Sequence, residues 1–245
     1  MAILVTGGSK GIGRAIALQF ATAGNDVFVN YAHDTTAALE TVEAIEAKGA
    51  RAHLIQEDVG TAEGCGRLLE QVSEKTDHLD QLVHCALYPV SSTVLQITPA
   101  DFERATQLNG AAILYLTQAA LPLLGKGSTV FFISSRGSKV SVPGYIGVGA
   151  PKAMAEAIIR YLAVDLAPMG VRANTVSAGP LLTDAFRAAV PQADERFAML
   201  AERNPSGRNL EFDDVTAAVE FLASPAASMI NGQELFIDGG LFTKS

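Results

Sequence analysis

Cysteine is nearly absent from this chain: 245 residues carry only Cys65 and Cys85, and tryptophan is missing altogether. Two thiols make no disulfide framework, so both are expected to be free, with Cys85 in a core strand. Histidine is scarce as well, at four residues. Cys85 follows His84, but adjacent strand residues point to opposite faces, which argues against a metal site from that pair. Positive charge is in deficit: 18 Lys and Arg stand against 26 Asp and Glu, a formal net charge of −8. That balance excludes broad electrostatic binding to nucleic acid or to anionic lipid, and leaves only a local basic patch open. No apolar run approaches the ~18 residues a membrane span needs. The first residues enter an apolar run at once with no basic stretch ahead of them, so a cytoplasmic location is expected. No fixed repeat or low-complexity segment is present.

What remains is a globular composition, 49% apolar and 18% charged. Apolar, β-rich runs fall at Ala2–Thr6, Val27–Tyr31, Ala52–Gln56, Gln81–Ala86, Thr129–Ser134, Val171–Val176 and Glu234–Ile237. Most are apolar throughout, as strands covered on both faces should be. Stretches between them, such as Gly11–Ala23, Thr35–Lys48 and Ala62–Thr76, have helical spacing. Strand alternating with helix predicts βαβ crossovers and a parallel α/β sheet in one domain over 1–245. Within it, Gly179–Arg208 holds Pro180, Pro191 and Pro205 around a short amphipathic segment and reads as a lid over a site.

The first strand runs into Thr6-Gly7-Gly8-Ser9-Lys10-Gly11-Ile12-Gly13. Glycines between a strand and a helix let the backbone turn tightly and let a pyrophosphate approach the helix N-terminus. That predicts a dinucleotide site built on Gly7, Ser9, Lys10, Gly11, Ile12 and Gly13. An NAD site ends its second strand in an acid for the ribose 2′-hydroxyl. Here Asn30, Tyr31, Ala32 and His33 come first and the earliest acid is Asp34. With Lys10 as a cation in the loop, a 2′-phosphate is favoured, hence NADPH, with Tyr31, Ala32 and His33 around the adenosine. Asp58 and Val59 follow the third strand, where an acid and an amide would hold the adenine edge.

The glycine loop, Asp58-Val59, Asn109, Ser134-Ser135, Lys152, Asn174 to Pro180 and Asp238-Gly239-Gly240 together resemble the short-chain dehydrogenase/reductases over nearly the whole chain. The resemblance implies a Rossmann-type doubly wound domain with a seven-stranded parallel sheet, and a homotetramer. It also implies that Lys152 binds the nicotinamide ribose, that Ser135 orients substrate, and that Asn109 holds a helix distortion and a water. Two departures stand out. His84-Cys85-Ala86-Leu87 replaces the family's N-N-A-G, which would loosen the backbone near the adenosine. The family's catalytic Tyr, four residues before the Lys, is here Val148, while Tyr145 stands seven residues before Lys152.

On an unbroken helix both spacings keep Tyr and Lys on one face, and the longer one moves the phenol about 5 Å further from the Lys. A distant donor suits an α,β-unsaturated thioester, where hydride lands on the β-carbon and charge develops on the thioester oxygen. Tyr-x6-Lys also resembles the enoyl-acyl-carrier-protein reductases of this superfamily, nearest their NADPH-dependent type III branch. Gly179, Pro180, Leu181 and Thr183 look like their nicotinamide-side loop. Tyr145, Lys152, Ser135 and Asn109 are thus the candidate catalytic set. The implied substrate is an enoyl thioester on coenzyme A or an acyl carrier protein, in fatty acid or polyketide-type biosynthesis. Leu181, Leu182, Phe186 and Met199 would line an acyl pocket, and Arg187, Arg196, Arg203 and Arg208 would gather at its entrance. A 3-oxoacyl thioester or polyketide ketoreductase is the alternative, and a non-catalytic cofactor-binding protein the third reading.

Overall fold

A computed structural model describes residues 1–243 of the chain. Seven strands, β1 (Ala2–Thr6), β2 (Asp26–Tyr31), β3 (Arg51–Gln56), β4 (Gln81–His84), β5 (Thr129–Ser135), β6 (Arg172–Ala178) and β7 (Glu234–Ile237), form one sheet in the order β3-β2-β1-β4-β5-β6-β7. Every pairing is parallel. Along β1 the side chains alternate between two cores. Ala2 and Leu4 pack toward α3 (Ala62–Ser73), α5 (Ala112–Ala120) and α6 (Ile146–Leu166). Ile3 and Val5 pack toward α1 (Gly11–Gln19) and α9 (Phe212–Ala223). Apolar residues on both faces are what a sheet covered by helices on both sides requires. The remaining helices are α2 (Thr35–Glu46), α4 (Pro99–Thr106), α7 (Asp184–Ala189) and α8 (Ala193–Arg203). Strand order reverses between β1 and β4, so the loops leaving the C-terminal ends of the strands diverge there and open a crevice.

Two expectations change. β4 stops at His84, and Cys85 lies just beyond it rather than inside a strand. On one side its neighbour β1 also ends there, at Thr6, where Gly7 turns away with φ +63°. The stretch 179–208 holds two helices. Thr183 caps α7 through a bond from the Phe186 N–H, and Pro191 followed by left-handed Gln192 separates α7 from α8. No helix among the described residues is long and apolar enough to cross a membrane.

His84 sits at the reversal point and is fully buried. Its Nε2 lies 3.0 Å from the Leu108 carbonyl, which only accepts, so Nε2 carries the proton. Nδ1 therefore accepts from the Thr6 hydroxyl at 2.7 Å. Burial pushes the imidazole pKa down to about 4. The unfolded chain then binds a proton that the folded one refuses between an unfolded pKa of ~6.5 and that value. His84 thus favours the fold fully above pH ~6.5, and that contribution falls away as pH drops toward 4, by about 3 kcal/mol at ~1.4 kcal/mol per pKa unit. Urea titrations at pH 7 and 4.5 should show a smaller loss of stability in His84→Gln than in the wild type.

Candidate active site

The crevice is a cavity of about 1250 Å³ at the C-terminal ends of the strands. Its floor is the glycine loop. Gly7 has positive φ, and a Cβ there would lie 2.7 Å from the Ala86 Cα. Gly13 does not line the cavity; a Cβ on it would collide with the Gly7 carbonyl, so it lets α1 start tight against the loop. Apart from Gly13 and Asn109, all the candidate site residues line the cavity, from Ser9, Gly11 and Ile12 to Gly179, Pro180, Leu181 and Thr183.

At one end lie Tyr31, Ala32, His33, Asp58 and Val59. The Lys10 ammonium is not free as expected: it is paired with Asp34, which also caps α2 through the Ala37 N–H, and it lies 3.8 Å from Asp184 at the start of α7. The hydrogen bond from Lys10 to Asp34 raises the pKa of the lysine, and Asp34 falls below the usual carboxylate range through its bonds from Ala37 and Lys10. Two cations were not anticipated. Arg14 lines the cavity and donates through Nε to Thr41 Oγ1 at 3.2 Å; its place one helical turn after Lys10 was the available signal. Arg104 holds both Asp58 carboxylate oxygens, at 2.7 and 2.8 Å, so the acid assigned to the adenine edge is already engaged. No local sequence pattern links those two residues.

At the other end Tyr145, Ser135 and Lys152 line the cavity together. Val148 is fully buried and does not. Tyr145 is not on the helix: it is the N-cap of α6, and its carbonyl accepts from Val148 and Gly149 at 3.0 and 2.8 Å. The two-turn geometry is therefore replaced by a loop-to-helix junction. Pro151 is inside α6 without breaking it. A proline gives no N–H to the carbonyl four residues back. That carbonyl, Gly147 O, accepts instead from Asn109 Nδ2 at 3.0 Å. Asn109 lies in a π-helical turn, Gln107–Ala111, and also binds the Tyr88 N–H and C=O. The expected helix distortion is present, and the Asn109 amide joins it to the start of α6.

Burial raises the pKa of the Tyr145 phenol, while the nearby Ser135 hydroxyl lowers it in part. The Ser135 oxygen nevertheless completes no well-formed hydrogen bond and is a buried polar atom without a partner. Lys152 donates to the Ile133 carbonyl at 2.6 Å. Burial brings its pKa down to about 8, opposed by Cys85 and Glu156. At neutral pH the site thus holds a protonated phenol, a protonated lysine and a hydroxyl with free valence.

The replaced N-N-A-G motif does not loosen the backbone. His84 is bonded at both nitrogens, the Cys85 and Ala86 N–H groups reach Thr6 Oγ1 at 3.2 and 3.4 Å, and Asn109 grips Tyr88. The expected apolar lid residues Leu181, Leu182, Phe186 and Met199 all line the cavity. The four arginines divide. Arg196 and Arg203 line it, whereas Arg187 is turned to Asp194 and Arg208 holds Asp214 through both guanidinium nitrogens.

A family model described as Enoyl-(Acyl carrier protein) reductase matches residues 7–242. The chain is a short-chain dehydrogenase/reductase. It is 32% identical over 240 residues to 1-cyclohexenylcarbonyl-CoA reductase of Streptomyces collinus, covering 97% of this chain and 85% of that one. A short-chain dehydrogenase from Burkholderia cenocepacia, solved in complex with NADP, superposes with a TM-score of 0.89 at 34% identity, covering 98% and 96% of the two chains. An angucycline C-6 ketoreductase solved with bound NADP gives the same TM-score at 30% identity, covering 99% and 96%. The superfamily's oxidoreductase chemistry and its doubly wound fold are thereby assigned. Enoyl and carbonyl reductases both stand among these relatives, so the site itself has to argue between them.

Proposed function

We propose that this protein is an NADPH-dependent reductase of α,β-unsaturated acyl thioesters. The observation that carries the reading is that Tyr145 lines the cavity with Ser135 and Lys152, while Val148, at the ketoreductase donor position, is buried away from it. The cavity also fits the cofactor: Gly7 and Gly11 have positive φ and would meet Ala86 and Thr183 if they carried a Cβ, and Ser135 is an orphan hydroxyl. When bound, the nicotinamide would supply a hydride to the β-carbon. Lys152 would bind the ribose hydroxyls, and its positive charge would offset the negative charge developing on the substrate. Tyr145 would keep its proton at neutral pH and donate to the thioester oxygen, with Ser135 as a second donor. Leu181, Leu182, Phe186 and Met199 would exclude water from the acyl chain. NADPH oxidation with crotonyl-coenzyme A should yield butyryl-coenzyme A; a protein that binds NADPH but consumes none with any enoyl thioester would contradict the reading.

The preference for NADPH rests on Lys10. A 2′-phosphate carries more charge than the single carboxylate of Asp34 and would take the ammonium from it. Lys10→Ala should weaken NADPH binding by about tenfold, the scale of one charge-assisted contact, and leave NADH binding within a factor of two, both read by fluorescence titration. The carrier would be coenzyme A or an acyl carrier protein, whose phosphate suits Arg196 at the entrance. A homotetramer is the assembly we favour, since Tyr161 and Val164 on the outer face of α6 are 76% and 71% exposed. Ketoreduction is the second reading, favoured by the angucycline ketoreductase relative. It would need Tyr145 or Ser135 to serve a carbonyl directly.

A further inference from the structure

The end of β5 and the turn that follows it, Ser134 to Lys139, are fastened to α6 at two levels. Glu156 lies one turn beyond Lys152 on α6, with its side chain only 2% exposed. One of its carboxylate oxygens accepts from the Ser134 hydroxyl, and the other from the Lys139 ammonium at 2.5 Å. Lys139 also reaches Glu234 on β7, at 2.6 Å. A buried carboxylate held by a hydroxyl and an ammonium is a fastening that is costly to break from one side. At the second level two glycine backbones meet. A Cβ on Gly149 would lie 3.1 Å from the Gly137 carbonyl carbon and closer still to its oxygen. The Tyr145 ring rests on this contact: a Cβ on Gly137 would lie 2.6 Å from the ring Cε1. The Ser92 N–H also holds the Gly144 carbonyl at 2.9 Å, so the chain just before Tyr145 is pinned as well.

We propose that this segment positions the Tyr145 phenol, Gly137 being the floor that sets its depth and Glu156 the clamp that holds the floor against α6. A tyrosine outside the helix gets no fixed direction from helical geometry, so another element has to supply it. Gly137 and Glu156 are positioning residues: they act through Tyr145, and this role rests on the donor assignment made above. An added methyl at 137 occupies space that the ring now fills, and core packing of this density does not absorb such overlap without movement.

The test compares Gly137→Ala and Glu156→Gln with the wild type, with Gly66→Ala on α3 as a control, because a Cβ there meets nothing within 4 Å. Three quantities are read: kcat and KM for crotonyl-coenzyme A, the Kd for NADPH, and the rate at which tetranitromethane nitrates Tyr145, followed by mass spectrometry without substrate. Gly137→Ala should lower kcat at least tenfold, leave the NADPH Kd within twofold, and speed Tyr145 nitration severalfold. Glu156→Gln, which keeps the side-chain size, should move kcat and nitration the same way by less, and the control should match wild type. Wild-type kcat and nitration in Gly137→Ala overturn the proposal, as does loss of NADPH binding in step with kcat. Should Gly137→Ala not fold, Glu156→Gln decides on the same two readouts. If the wild type reduces no enoyl thioester, the reaction assignment fails instead, and the nitration rates alone decide whether the floor exists.

Discussion

Replacing Tyr145 with Phe is expected to lower kcat for enoyl-thioester reduction by about 10²- to 10⁴-fold, the usual contribution of a positioned proton donor. NADPH binding should stay within twofold of wild type. The phenol is a single hydroxyl beside Ser135, and burial holds its pKa above the ordinary value, so it is a proton-loaded donor through neutral pH. Phe keeps the ring that lies on Gly137 and removes only the donor. Among the described residues the other two phenols in the cavity lining do not replace it: Tyr31 is at the opposite end, and the Tyr88 hydroxyl is spent on Asp101 at 2.9 Å. Ser135 is the only neighbouring hydroxyl with free valence among the described residues, and it accounts for residual activity. A variant with wild-type kcat in a steady-state assay would remove Tyr145 from the chemistry.

Lys152→Met should be at least as damaging, by about 10²- to 10³-fold in kcat/KM, the scale of losing one preorganised electrostatic group in a site shielded from water. It should also alter the pH profile. In the wild type the buried ammonium loses its proton near pH 8, because burial disfavours the charge more strongly than Cys85 and Glu156 support it. Lys152 is needed in its charged form, so kcat/KM should be flat below pH 8 and fall about tenfold per unit above it. Because the protonated form is the active one, the limb lies on the alkaline side and this group gives no acid limb; burial moves it down from the ordinary lysine value. In Lys152→Met the limb near pH 8 should vanish along with most of the activity. A limb that persists in the variant would belong to another residue.

The sheet was legible because most of its strands are short apolar runs separated by helical spacing, and all seven lie where those runs fall. The glycine loop was legible because its function is a backbone property that only glycine supplies, as the positive φ of Gly7 and Gly11 bears out. Tyr145 and Lys152 were found by spacing, but the geometry between them was not. The sequence shows Pro151 as a threat to the helix, and nothing local shows that Asn109, distant in sequence, covers the carbonyl that proline leaves bare. Arg104 with Asp58, and Lys139 with Glu156 and Glu234, are likewise products of tertiary packing. Lys10 was identified as a cation at the right place, whereas its existing partner, Asp34, was considered only as an acid lying too late to serve the ribose. In the stretch 179–208 the sequence shows one short amphipathic segment where the structure has two helices, because Pro191 and Gln192 mark a break between helices as readily as an irregular loop.

Competition tests most directly whether a site with Tyr145 in its lining and Val148 buried away from it takes a conjugated thioester in preference to a ketone. Equimolar crotonyl- and acetoacetyl-coenzyme A would share one reaction with limiting NADPH, and the products would be counted by mass spectrometry, so that their ratio reports the ratio of kcat/KM values. Butyryl-coenzyme A in large excess over 3-hydroxybutyryl-coenzyme A is the predicted result. An excess of the 3-hydroxy product would contradict it and assign the site to ketoreduction.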